Sequence, residues 1–169
     1  MKKSYKIIKD FMEPEFFKEL KTLIINPDFP WFYRKGMTYN SKIDLGYFTH
    51  SFYNEHKINS SHYYKYIIPI LKNLNTPAVI QIRANMAPSV FFKNKGCGWH
   101  TDYPFLSKTA ILYLNDCDGG TELKIGNKIV PIKANANTML TFDTNIIHRA
   151  TTSKKADFRY IINFNYFEK

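Results

Sequence analysis

A mainly β, α+β fold is predicted, with N-terminal helices packed on a β-sandwich or jelly-roll barrel in a single domain. Three observations predict it. The apolar period changes from about 3.6 to 2 beyond Pro77. Turn-forming residues then divide the rest of the chain into six or more short runs, the pattern of a sandwich or barrel. Aromatic residues make up 17% of the sequence, with 12 Tyr and 14 Phe, and aromatic and β-branched runs favour strands. At 169 residues and 44% apolar content, the chain is about one domain, able to bury a core without staples. Residues 1–76 are assigned to helical support and residues 77–169 to the barrel.

The first helix is expected to be capped by Asp10, with Pro14 in its first turn. Phe16, Phe17, Leu20, Leu23 and Ile24 recur at helical spacing, and the helix should stop before Asn26-Pro27. A loop with Trp31-Phe32-Tyr33 follows, as packing or as a lid. A second helix is predicted over Ser60–Leu74, built on Tyr63, Tyr66, Ile67, Ile70 and Leu71, with a kink or break at Pro69. Strands are predicted at Val79–Met86, Thr109–Asn115, Glu122–Ile125, Lys128–Ile132, Met139–Phe142 and Phe158–Tyr166. Gly119-Gly120, Gly126-Asn127 and Ala134–Asn137 supply turns between them.

The net charge of +10 comes from 24 Lys+Arg against 14 Asp+Glu. Such a surface favours encounters with acidic partners, nucleic acid included. The lysines are nevertheless scattered (Lys2, Lys3, Lys6, Lys9, Lys18, Lys21, Lys93, Lys95, Lys154, Lys155), which describes a solvated surface better than a nucleic-acid site. An anionic cosubstrate would benefit from the same field. Cys97 and Cys117 allow at most one bridge, so no disulfide framework is implied and a reduced, cytoplasmic setting fits. The start, Met1-Lys2-Lys3-Ser4, has the charge of a signal n-region, but Lys6, Lys9 and Asp10 interrupt any apolar stretch behind it. Tyr66–Leu71, the longest apolar run, is far too short to span a bilayer. The chain reads as soluble and untargeted.

Three features carry chemistry. His100 and Asp102 stand two apart, so on a strand they share a face. Chance supplies such a pair readily in a chain with five histidines and 14 acidic residues, and alone it would describe a surface pair. His148 lies 46 residues beyond Asp102. Together the three match a facial triad of two histidines and one carboxylate, which leaves positions open at ferrous iron. The last strand places Arg159, Ile161, Asn163 and Asn165 on one face and Tyr160, Ile162, Phe164 and Tyr166 on the other. Its polar face is either wet or lines a cavity; period alone does not choose. In a cavity, Arg159 would offer a planar fork to a carboxylate, and Tyr113, on another strand, a phenol donor.

The order His100-x-Asp102, Tyr113-Leu114-Asn115, Gly119-Gly120-Thr121, His148, Arg159 resembles the 2-oxoglutarate- and iron(II)-dependent oxygenases of the prolyl-hydroxylase type, over roughly residues 77–169. His100-Thr101-Asp102-Tyr103-Pro104-Phe105 and Asn163-Phe164-Asn165-Tyr166-Phe167 also resemble phage-encoded members of that group, which would place the protein in a host cytoplasm. The resemblance implies a double-stranded β-helix, a jelly-roll or cupin-like barrel with helices buttressing one sheet. It implies Fe(II) on His100, Asp102 and His148, and 2-oxoglutarate held by Arg159 and Tyr113, with Asn163 beside it. It further implies dioxygen as oxidant and hydroxylation of a C–H bond in a peptide or small molecule, releasing succinate and carbon dioxide. Asn163 stands where relatives often have Thr, and Asn165 where prolyl hydroxylases tend to have Trp beside the substrate, so prolyl specificity does not carry over. Arg83 and Asn85 face one way on the first barrel strand and are candidate cavity residues. Trp99, Tyr103 and Trp31–Tyr33 are candidate substrate contacts.

Two rival readings stand beside this one. A nucleic-acid demethylase resembling AlkB would share the chemistry and suit the charge, but those enzymes typically carry a second Arg after the first on the last strand, where only Arg159 is present. A cupin-like module holding zinc without oxygen chemistry would use the same three ligands, but has no need of Arg159 with Tyr113.

Overall fold

The computed structural model describes residues 4–36, 46–89 and 97–169; Lys2, Lys3, Lys93 and Lys95 lie outside them. In chain order its elements are β1 (Tyr5–Ile8), α1 (Pro14–Ile25), β2 (Phe32–Arg34), β3 (Tyr47–Asn54), β4 (Lys57–Ile58), a π-helical turn (Tyr63–Ile67), α2 (Ile68–Asn73), β5 (Ala78–Pro88), β6 (Lys108–Tyr113), β7 (Gly120–Ile125), β8 (Lys128–Lys133), β9 (Thr138–Asp143), β10 (His148–Thr151) and β11 (Phe158–Phe167). All six predicted strands are present within a residue or two of their expected ends.

The N-terminal segment departs from expectation. Helical support is there, but residues before 77 also contribute four strands, and the eight-residue β3 pairs with β5 in the main sheet. The aromatic and β-branched run Tyr47-Phe48-Thr49-His50-Ser51-Phe52-Tyr53 explains why. Glu13, not Asp10, caps α1: its carboxylate accepts the Phe16 amide at 3.0 Å, immediately before Pro14. Asp10 is too far upstream and takes a positive φ of 48°. The second helix begins later than Ser60 and is split. Its π-helical turn gives way to α2 at Ile68, and Pro69 falls in the first turn of α2, where its missing N–H is not needed.

Two antiparallel sheets face one another. The larger runs β1-β9-β6-β11-β5-β3-β2, with β4 beside β3; the smaller runs β10-β7-β8. A single bridge between His100 and His148 extends the small sheet beyond β10. The β7–β8 hairpin turns at Gly126, whose φ of +56° suits glycine. At Gly120 the strands pass so closely that a Cβ would overlap the Ile132 carbonyl.

The period-2 pattern of β11 divides two cores. Ile162, Phe164 and Tyr166 join Phe17, Leu20, Ile24, Ile67 and Ile70 under the helices. On the opposite face Ile161 packs with Ile111, Tyr113, Leu123, Leu140 and Phe142 between the sheets. Leu20 is fully buried in the first core, so Leu20→Ala should cost about 2–5 kcal/mol of stability. Chemical denaturation measures that loss, and metal affinity of the folded variant should stay at the wild-type level. Among the described residues no helix is long and apolar enough to cross a membrane. Cys97 and Cys117 are both buried, and burial pushes each thiol up, away from the reactive thiolate.

Candidate metal centre and its cavity

The two candidate histidine ligands are held side by side by backbone. The His100 amide donates to the His148 carbonyl at 3.0 Å, and the His148 amide donates back at 2.8 Å. His100 and Asp102 therefore leave a single β-bridge, not a regular strand. The Asp102 amide is fixed separately, donating to the Thr144 carbonyl at 3.2 Å.

The ring nitrogens follow from this frame. Nδ1 of His100 lies 3.0 Å from the Gly98 carbonyl and Nδ1 of His148 lies 2.9 Å from that of Ile146. A carbonyl only accepts, so each Nδ1 carries a proton, which leaves Nε2 as the nitrogen each ring can offer to a metal. Asp102 Oδ1 stands 3.7 Å from His100 Nε2 and 3.6 Å from His148 Nε2. Two ligands each about 2.1 Å from one ion can stand at most about 4.2 Å apart, so both separations lie within a metal's reach. All three ligand atoms lie within 4.8 Å of one another.

The other carboxylate oxygen is already engaged. Asp102 Oδ2 accepts the Thr109 hydroxyl at 2.7 Å and the Asn165 amide at 2.7 Å. Oδ1 is thereby aimed at the imidazoles. Burial alone would push the Asp102 carboxyl up, but His148, the two donors and His100 together hold it below its ordinary value. Burial, partly offset by Asp102, holds His148 below the usual histidine range. Carboxylate and neutral imidazole are the metal-binding forms.

Asn165 is thus a positioning residue for the carboxylate, not a substrate contact; it is 1% exposed and also donates to Thr109 at 3.1 Å. Asn165→Leu should weaken metal binding about 10- to 100-fold, the usual cost of losing such a partner. A manganese titration followed by paramagnetic relaxation checks it. Wild-type affinity would show that Thr109 suffices.

A small cavity, open at its mouth, adjoins the three candidate ligands. Its wall includes Tyr47, Arg83, Asn85, Thr121, Arg159 and Asn163. The polar face of β11 is therefore a cavity face, not a wet one. Arg159 is 3% exposed, and its Nε and Nη1 have no hydrogen-bond partner among the described residues. A guanidinium buried without a counter-ion is costly, by several kcal/mol. Unused donors on a buried guanidinium are what a carboxylate would satisfy.

Tyr113 stands one residue behind the wall. Its ring is fully buried and its hydroxyl donates to Thr121 Oγ1 at 2.8 Å. Burial above all pushes this phenol up to about 12, so it stays a donor. Because Thr121 Oγ1 accepts from Tyr113, its own proton is free to point into the cavity. Pairing of β7 with β10 sets Thr121 opposite Ala150, and Ala150 also lines the wall. The sequence reading missed Thr121, Tyr47 and Thr109, although Thr109 lies in period 2 with Tyr113.

The candidate aromatic contacts fall elsewhere. The Trp99 ring is covered by Lys124 Nζ and by the Arg149 guanidinium, each 4.4 Å from its centre. Trp31 packs on Phe29 and Tyr160, while Phe32 and Tyr33 are exposed. Tyr103 lines a separate groove with Phe105 and Phe167.

No family model matches the sequence, and no curated protein matches it. Solved structures do. A prolyl hydroxylase of Trichoplax adhaerens, in complex with a hypoxia-inducible-factor peptide, is 18% identical; the alignment covers 99% of this chain and 84% of that one, with a TM-score of 0.71. A 2OG-Fe(II) oxygenase-family oxidoreductase of Burkholderia pseudomallei is 10% identical over 98% of this chain and 86% of that one, with a TM-score of 0.77. HygX of Streptomyces hygroscopicus, holding nickel and 2-oxoglutarate, is 9% identical over 98% and 83%, with a TM-score of 0.62. The fold is that of the 2-oxoglutarate- and iron(II)-dependent oxygenases, a double-stranded β-helix.

Proposed function

We propose that this chain is a 2-oxoglutarate- and iron(II)-dependent dioxygenase that hydroxylates a C–H bond of a small-molecule or peptide substrate. One observation carries the reading: a two-histidine, one-carboxylate ligand set shares a cavity with a buried arginine whose donors are unused. His100, Asp102 and His148 would hold the iron, and the donor set fits it, leaving positions for a bidentate cosubstrate and dioxygen. Iron so held, with 2-oxoglutarate and dioxygen, supplies the oxidising power for hydroxylation, with succinate and carbon dioxide as coproducts.

The protein's own groups orient and shield. Arg159 takes the distal carboxylate of 2-oxoglutarate, and the Thr121 hydroxyl, polarised by Tyr113, adds a neutral donor. Asn163 lines the path between Arg159 and the ligands. Asn165 and Thr109 keep Asp102 directed at the ion. Ile111 and Ile161 exclude water from the wall. A zinc-binding module without oxygen chemistry gives no reason for the buried, unpaired Arg159. Protonated thiols at Cys97 and Cys117 suit a reducing cytoplasm, which belongs to the same proposal.

Succinate release tests it. Purified protein given iron(II), ascorbate, 2-oxoglutarate and dioxygen should form succinate even without substrate, and a His100→Ala variant should not. Wild-type release no greater than the variant's would leave only a metal-binding module.

A further inference from the structure

The cavity contains a second guanidinium. Arg83 lines it from β5, and its Nε is shut from solvent with no hydrogen-bond partner among the described residues. Registers separate the two arginines. Arg159 pairs with Ala87, whereas Arg83 pairs with Asn163, four residues further along β11. At about 3.4 Å per residue, that places the two backbone positions roughly 14 Å apart along the sheet. Arg83 therefore belongs to the end where Asn165 meets Asp102. Tyr103, next to Asp102, lies within the fields of both Arg83 and Asp102, which puts the guanidinium on the ligand side. The neighbouring Asn163 Oδ1 is likewise buried without a partner.

Charge makes the second arginine informative. A divalent ion, the Asp102 carboxylate, the Arg159 guanidinium and a dicarboxylate cosubstrate sum to zero. Arg83 then remains as one uncompensated positive charge, among walls that contribute no other acid from the described residues. Arg83 is half-buried with no acid but Asp102 in the described cavity wall, and a bidentate carboxylate is the ligand its fork matches best.

Building on the oxygenase reading, we infer that Arg83 is an anion subsite for the primary substrate, which therefore carries a carboxylate near the carbon to be oxidised. Arg159 serves the cosubstrate and Arg83 the substrate, from backbone positions four residues apart in register along the sheet.

Acetate, with acetamide as its neutral counterpart, probes this. Protein loaded with manganese and 2-oxoglutarate should relax the acetate methyl protons through the bound paramagnetic ion at least fivefold more than those of acetamide. Arg83→Gln should abolish the difference, Arg83→Lys should restore part of it, and neither should change 2-oxoglutarate affinity, measured by calorimetry, more than about twofold. Arg83→Gln should also melt no lower than wild type, since the Nε it removes has no partner. Acetate relaxation that survives in Arg83→Gln, or equals that of acetamide, overturns the inference. So does a loss of 2-oxoglutarate affinity in Arg83→Gln, which would make Arg83 a cosubstrate residue, and so does a lower melting temperature with unchanged acetate binding, which would make it structural. If wild type takes no 2-oxoglutarate, the oxygenase reading falls; the acetate comparison, repeated with manganese alone, still decides the role of Arg83.

Discussion

Asp102→Ala should abolish specific iron binding, raising the dissociation constant by well over about 100-fold. Loss of a partner one step removed from the metal costs 10- to 100-fold, and this change removes the only anionic ligand of the three. It also strands the Thr109 hydroxyl and the Asn165 amide, both now bound to Asp102 Oδ2. Asp102→Asn separates the two effects. Its amide oxygen still accepts from Thr109 and Asn165, so that variant should keep its fold while losing the charge that holds the ion. The pH dependence of the metal-free protein should follow the same residue. The folded-state Asp102 lies below its ordinary value, so its ionisation stabilises the fold above the unfolded carboxylate range, and that contribution is lost as pH falls from there through the lowered folded-state value. Denaturation of wild type and Asp102→Asn should therefore converge in acid. Iron binding equal to wild type in Asp102→Ala would place the metal, if any, elsewhere.

How legible the site was depended on how local each relationship is. The convergence of His100, Asp102 and His148 was legible from residue type and order, and the structure brings their ligand atoms within 4.8 Å of one another. Arg159 and the alternation of β11 were legible for a similar reason: one strand determines which side chains share a face. The sequence could not say whether that face was wet, since this needs the smaller sheet packed across it. The role of Asn165 was not legible because its partner Asp102 is 63 positions away, and nothing near Asn165 reveals a carboxylate. Tyr113 was legible as an inward residue of β6, but its bond to Thr121 was not, because that contact joins the two sheets. Trp99 looked available for substrate until Lys124 and Arg149, from β7 and β10, were seen on its ring. The strand β3 is written in its aromatic and β-branched composition, but it lies between two stretches of helical period.

The scattered positive charge acquires a meaning at this site that it lacks in the sequence. Of the 24 Lys and Arg, two arginines line the cavity, against one carboxylate. The remaining field, spread over the surface, raises the local concentration of small acids without supplying a basic stripe for a polynucleotide. On the oxygenase reading, a dicarboxylate cosubstrate and an acidic substrate would both be drawn to the same mouth by that field. Higher salt should therefore weaken capture at the surface more than retention at the buried forks.

Arg159→Ala should raise the apparent KM for 2-oxoglutarate about 10- to 150-fold, the equivalent of roughly 1.5–3 kcal/mol for a charge-assisted hydrogen bond. The effect should fall on the cosubstrate alone. Arg159 lies on β11 six residues before Asn165, so its loss leaves the support of Asp102 intact, and iron affinity should stay within about twofold of wild type. Arg159→Lys should recover only part of the loss, since an ammonium supplies a point charge without the paired N–H groups of the fork. Stability should move the other way from affinity. The guanidinium is 3% exposed, and Nε and Nη1 have no partner among the described residues, so removing it relieves an unpaired buried charge, and the metal-free variant should resist denaturant at least as well as wild type. Initial rates of succinate formation across 2-oxoglutarate concentrations, paired with iron titrations, measure both quantities. An unchanged requirement for 2-oxoglutarate would mean that the fork serves another anion. An equal loss of iron and cosubstrate affinity would mean that Arg159 supports the barrel as a whole.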